Sequence, residues 1–195
     1  MISNKISHYL TSLFIDNSII NANQKKYYEY CINFLTDIIL FNVSLIIIGI
    51  ITKNFLVTLV YIFSLVPLKM FAGGAHANSV KACNIISYCI YFFTLLIQYY
   101  VKIPFFIGII INLILLFIIN IYAPIVHPNK SISKKNYYIL KKYCILHSVI
   151  LILFFLLFSY KNSFKLCTTI TTTVTIVSIN QYIGILKYKT KKYYD

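Results

Sequence analysis

The sequence predicts an all-α, polytopic integral membrane protein, with about six transmembrane helices behind an amphipathic N-terminal helix. Two observations carry that expectation. Of 195 residues, 59% are hydrophobic and only 11% charged, with a mean hydropathy of +0.79, and several apolar runs reach the length that crosses a bilayer's hydrocarbon core. The net charge of +14 comes from lysines clustered at the ends of those runs, where they face anionic headgroups and set topology. A lipid bilayer is therefore the expected partner, and nucleic acid is not. The cysteines Cys31, Cys83, Cys89, Cys144 and Cys167 are odd in number, widely scattered and without CxxC spacing. They indicate neither a disulfide framework nor a zinc site, and no metal or cofactor is expected.

The elements follow in order. In "MISNKISHYLTSLFIDNS", Ile2, Ile6, Tyr9, Leu10 and Leu13 fall at helical spacing with polar residues between them, an amphipathic helix suited to the membrane interface. It lacks the tripartite pattern of a cleaved signal peptide. A first span is expected from about Phe34 to Ile51, with Asp37 near its cytoplasmic end. Lys53-Asn54 makes a tight turn, and a second span runs from Phe55 to about Leu68, where Pro67 predicts a kink or an end. A third covers roughly Ile85 to Val101 and a fourth Phe105 to about Tyr122, separated by the turn at Lys102-Ile103-Pro104. "APIVHPNKSISKKNYYILKKYC" reads as a basic loop before a fifth span, Ile145 to Tyr160. The sixth, Leu166 to Leu186, is rich in threonine, whose hydroxyls can bond back to helix carbonyls in lipid.

This map organises the chain as an interfacial N-terminal segment, 1–30, a membrane domain, 31–187, with a loop at 69–84, and a basic tail, 188–195. Lysine placement orients it. One side collects fourteen lysines and the other only Lys53, Lys102, Lys161 and Lys165, so both termini and the 69–84 loop are expected in the cytoplasm of a cell membrane.

That loop, "KMFAGGAHANSVKAC", concentrates the chemistry. Cysteine is a strong nucleophile as a thiolate, and a histidine can deprotonate it and then protonate a leaving amine. His76 and Cys83 supply such a pair, but seven residues of straight helix would hold them roughly 10 Å apart along the axis. Gly73 and Gly74 give the backbone the freedom to bend, and Asn78 or Ser79 can cap a new helix whose first turn holds Cys83. The residues alone leave two readings open. In one the pair is a catalytic dyad. In the other Gly-Gly makes a turn, His76 is a solvated loop residue, and Cys83 packs at the head of a span.

The same stretch resembles the signature of the accessory gene regulator protein B family, membrane cysteine endopeptidases that process a small autoinducer propeptide. "YAPIVHPNK", Tyr122 to Lys130, resembles that family's Tyr-Ala-Pro loop, and the short chain and amphipathic N-terminus agree. The resemblance implies that His76 and Cys83 are catalytic and that Cys83 forms an acyl-enzyme thioester while releasing the propeptide's C-terminal tail. A nucleophile within the propeptide then closes a thiolactone or lactone ring. It also implies an amphipathic propeptide as partner and a homodimer. Lys69 stands where members of the family often carry arginine; a lysine keeps the charge but loses the bidentate fork.

Supporting candidates are Lys69, Gly73, Gly74, Ser79, Asp37 and Glu29. An intramembrane carboxylate is a functional candidate, so Asp37 can orient His76 or hold a basic group; its alternative is a headgroup-level pair with a lysine. Glu29 is expected at the interface, solvated or paired with lysine. Lys134, Lys135, Lys141 and Lys142 face either an acidic peptide tail or anionic lipid. The competing class is a noncatalytic peptide exporter or small transporter, which calls for polar residues distributed over several spans.

Overall fold

The computed structural model describes residues 2–75, 77, 80–126 and 132–188. His76, Asn78, Ser79, His127, Lys130 and the tail from residue 189 lie outside these. The chain divides into two compact units, residues 1–55 and 56–195.

In the first unit α1 (Ile2–Asp16) packs along α2 (Lys25–Ile51), joined by a short 3-10 turn at Ala22–Gln24. Ser3, Ser7 and Thr11 are buried, whereas Ile6, Tyr9 and Leu13 are exposed. The four-residue spacing of small polar side chains allows close helix approach and turns the apolar stripe outward, the reverse of a water-soluble amphipathic helix. His8 Nδ1 lies 2.9 Å from Glu29 Oε1, so a histidine of α1 meets Glu29, which the sequence reading left either solvated or paired with lysine.

The second unit holds α3 (Phe55–Ala72), α4 (Val80–Tyr100), α5 (Phe105–Tyr122), α6 (Lys134–Tyr160) and α7 (Phe164–Tyr188). Together with α2 these make six helices long and apolar enough to cross a membrane, so the expected all-α, multi-span architecture is observed. α5 coincides with its predicted bounds, while others differ for physical reasons. α3 continues through Pro67 to Ala72. Proline frees the carbonyl four residues back, here that of Phe63, and the Phe63 side chain packs on the His147 ring of α6 at 5.2 Å. α6 begins at Lys134, where Ser133 Oγ accepts the Asn136 N–H at 3.3 Å. Lys134, Lys135, Lys141 and Lys142 therefore lie on a helix that reaches past the apolar span, not in a loop.

α7 packs against α4, α5 and α6 and is the organising helix of this unit. It is the least apolar of the spans and the most buried, 50% of its apolar window against 22% for α5, the most apolar. Such an inversion belongs to a protein whose outer solvent is lipid: apolar side chains gain nothing by turning inward, and polar ones do. Thr169, Thr171, Thr172, Thr173 and Thr175 bond back to carbonyls four residues earlier at 2.8–3.1 Å, as expected of threonine in a transmembrane helix. Cross-helix bonds join Asn112 Nδ2 to Thr171 Oγ1 at 2.9 Å, Asn120 Nδ2 to Ser148 Oγ at 2.9 Å, and Gln181 Nε2 to the Ile119 carbonyl at 3.0 Å. The interior is thus more polar than the apolar runs of the sequence suggest.

Candidate functional site

α3 ends on Lys69 to Ala72, and the chain then adopts backbone angles open to glycine: φ is +71° at Gly73 and +144° at Gly74. Two other parts of the unit hold this turn. On one side Gly73 forms an isolated parallel β-bridge with Ile125, and the Ile125 N–H donates to the Ala72 carbonyl at 2.9 Å. On the other side the Ala75 N–H donates to the Asn180 carbonyl of α7 at 3.1 Å. The fit leaves no room for side chains. A Cβ on Gly73 would overlap the Ile125 carbonyl, one on Gly74 the Asn180 side-chain amide, and one on Gly184 would sit 2.9 Å from Ala75 N.

Beyond the turn, α4 starts at Val80, which puts Cys83 in the first helical turn, as the sequence predicts. The helix N-terminus there carries partial positive charge. Cys83 is half-buried and opens on a cavity of about 300 Å³. Lys69, Ala75, Ala77, Ser87, Asn180 and Lys187 also line it, and its apolar wall includes Leu65, Ile86, Ile90, Ile176, Val177 and Ile183. Ala75 and Ala77, which flank His76 in the chain, therefore share a cavity with the thiol. Among the described residues two lysines and no Asp or Glu line the space, so the charge they bring to it is positive.

None of the other four cysteines borders this cavity. Cys144 and Cys167 are buried in α6 and α7, Cys89 is exposed on α4, and Cys31 belongs to α2 of the first unit. Lys69, Gly73 and Gly74 are thus brought to the Cys83 cavity or to the turn beside it, whereas Asp37, half-buried, and Glu29 belong to the first unit. Among the described residues no group of three or more His, Cys, Asp or Glu side chains is placed to hold a metal.

Sequence reasoning overlooked Asn180, Gly184 and Lys187. They come from α7, about a hundred residues after Cys83, and reach the site only because α7 packs on α4. A polar Asn and a Gly inside the last span were the available signal.

Fold and cavity together define a multi-span membrane protein with a single cysteine opening on a basic, half-enclosed cavity at the start of a helix. Residues 3–181 match the model of the family described as Accessory gene regulator B, and the chain belongs to that family. It is similar to a putative AgrB-like protein of Clostridium perfringens strain SM101, 31% identical over 144 residues, 70% of this chain and 63% of that one. A putative AgrB-like protein 2 of C. perfringens strain 13 is 30% identical over 121 residues, 58% of this chain and 56% of that one. The match thus spans less than two thirds of either relative's length. No solved structure matches the chain.

Proposed function

We propose that this chain is a membrane cysteine endopeptidase that cleaves a small amphipathic autoinducer propeptide and promotes its cyclisation. The observation that carries the reading is the cavity shared by Cys83 with Ala75 and Ala77, the neighbours of His76, in a member of the Accessory gene regulator B family. In the proposed reaction His76 takes the thiol proton and Cys83 Sγ attacks the carbonyl carbon of the scissile bond. The C–N bond then breaks, and the tail departs as an amine carrying the proton from His76. An internal thiol or hydroxyl of the retained peptide displaces Cys83 from the thioester and closes the ring. Transfer to that nucleophile keeps an activated acyl bond that water would hydrolyse.

The apolar wall and the positive rim suit a peptide that brings apolar side chains and a negative charge to the cavity. The proposed setting is a cell membrane with both termini and the Gly73–Cys83 segment in the cytoplasm, and a homodimer as the working form. The exporter reading gains no comparable support. The interior polar groups of α5, α6 and α7 bond across helices to one another, which is what helix packing in lipid requires.

The test is coexpression of the wild type, Cys83→Ala and His76→Ala with a candidate amphipathic propeptide, following tail release at matched protein levels. Loss of processing in both variants is expected. Normal processing by either one overturns the dyad.

A further inference from the structure

The cavity on which Cys83 opens is charged at one end and apolar at the other. Lys69 stands in the last turn of α3, Cys83 in the first turn of α4 and Lys187 in the last turn of α7, so these three mark the side where the helices stop. From there the lining runs into the bundle along one face of each helix. Leu65 lies one turn before Lys69, Ile90 two turns beyond Cys83, and Ile176 three turns before Lys187. At 1.5 Å per residue the wall reaches roughly 10 Å along α4 and roughly 16 Å along α7. Among the described residues no charged side chain lines this deep end.

Helix association in lipid depends on close packing, so an open apolar space between α3, α4 and α7 forfeits contacts unless something fills it. A dry cavity of about 150 Å³ accepts one benzene ring. The cavity here, about 300 Å³, therefore has room for one or two large apolar side chains. Its nucleophile sits at the border between the charged end and the apolar one, which is where a peptide bond must lie to be attacked.

We propose that the deep end is the specificity pocket for the residue whose carbonyl Cys83 attacks, that it selects a large apolar side chain there, and that Ile90 and Ile176 set its depth. This rests on the endopeptidase reading above. In that reaction the bond from Cys83 Sγ to the carbonyl carbon forms, the C–N bond breaks, and the tail leaves as an amine carrying the thiol proton. The acyl part stays on sulfur until the ring closes. The tail is the part that must reach water, so it leaves by the end where the helices stop, and negative charge on it is attracted to Lys69 and Lys187. The retained residue takes the apolar end.

The experiment labels Cys83 in membranes containing the full chain with its other four cysteines replaced by alanine. The probes are N-acetylphenylalanine chloromethyl ketone and its alanine analogue, whose side chain stands beside the ketone as it stands beside a scissile carbonyl. The thiolate displaces chloride from either and forms a thioether. Iodoacetamide, which carries no side chain, reports the reactivity of the thiol itself. Ile90→Phe and Ile176→Phe fill the deep end, whereas Ile179→Phe puts the same ring on an exposed position of α7 outside the cavity. Without these substitutions the chain should react about tenfold faster with the phenylalanine reagent. Each filling variant should lower that ratio at least about fivefold, with the iodoacetamide rate within twofold, and Ile179→Phe should keep the ratio. A ratio within twofold of its starting value in both filling variants overturns the pocket and leaves the cavity to lipid. An equal fall in Ile179→Phe overturns it too, as an effect of the membrane. If filling abolishes iodoacetamide labelling, Ile176→Ala decides: preference should shift at least about threefold toward the larger 2-naphthylalanine reagent, and an unchanged preference overturns the proposal. The endopeptidase reading fails separately, if Cys83→Ala still releases the tail of a candidate propeptide.

Discussion

Gly73 and Ile125 meet backbone to backbone, in a parallel bridge of one residue on each side that joins the turn after α3 to the segment after α5. The bridge explains why two stretches far apart in sequence, the Gly-Gly turn and the Tyr-Ala-Pro-Ile segment, belong to one structural unit. With Asn180 and Gly184 on the opposite side, the turn leading to His76 is held by two partners, neither of which is its neighbour in the chain.

The first prediction concerns that bridge. Gly73→Ala places a side chain at φ +71°, which disfavours L-residues by roughly 1–2 kcal/mol, and drives its Cβ into the Ile125 carbonyl. Tail release should fall at least about tenfold while the amount of protein in the membrane stays close to wild type. Quantitative immunoblotting of membranes beside the propeptide assay checks both. Undiminished release would show that the bridge does not set the site.

Glycines of α5 and α7 should separate stability from site geometry. At Gly184 a Cβ meets the Gly74–Ala75 backbone at 2.9 Å, and backbone yields little; at Gly108 it meets the tip of the buried Phe155 ring at 2.6 Å, away from the residues that line the Cys83 cavity. Gly184→Ala is therefore expected to cost activity out of proportion to any shift in melting temperature in detergent. Gly108→Ala should shift the melting temperature and leave normalised activity near wild type. Equal behaviour of the two variants would contradict this division.

Replacing Cys31, Cys89, Cys144 and Cys167 together with alanine should leave processing intact, because none of them borders the cavity. In that background Cys83 is the single thiol. A membrane-impermeant maleimide should label it in inside-out vesicles and not in intact cells. Labelling from outside would reverse the proposed topology.

The bond between Asn112 and Thr171 ties α5 to α7 inside the bundle. Interhelical hydrogen bonds in membranes contribute about 0.6 kcal/mol on average. Asn112→Leu and Thr171→Val should each destabilise the detergent-solubilised protein by an amount of that order. The double variant should cost less than their sum, since both remove one interaction. Additive losses in a double-mutant cycle would mean that the two side chains are not energetically coupled.

How far the sequence could be read differs between fold and site. The bounds of α5 were legible because an eighteen-residue run, interrupted by only two asparagines, sits between Pro104 and Ala123-Pro124. α3 was not legible past Pro67, because the packing around that turn, including the Phe63 ring against His147, comes from another helix. The outward apolar face of α1 was equally hidden. Periodicity reports that a helix has two faces, but which face turns inward depends on what it packs against.

By itself the sequence determined that this chain has several membrane-spanning helices, that its lysines cluster at the ends of the apolar runs, and that a cysteine falls in the first turn of a helix after a glycine pair. Those properties follow from hydrocarbon length, charge and backbone freedom, which are local. Only the tertiary structure decided that Ile125 and Asn180 grip the turn from opposite sides, that Gly184 makes room for it, and that Lys187 joins Lys69 in the cavity. In lipid an apolar surface does not choose its own partner. That choice came from close packing and from the hydrogen bonds of α7, whose polar side chains had to find one another inside the bundle.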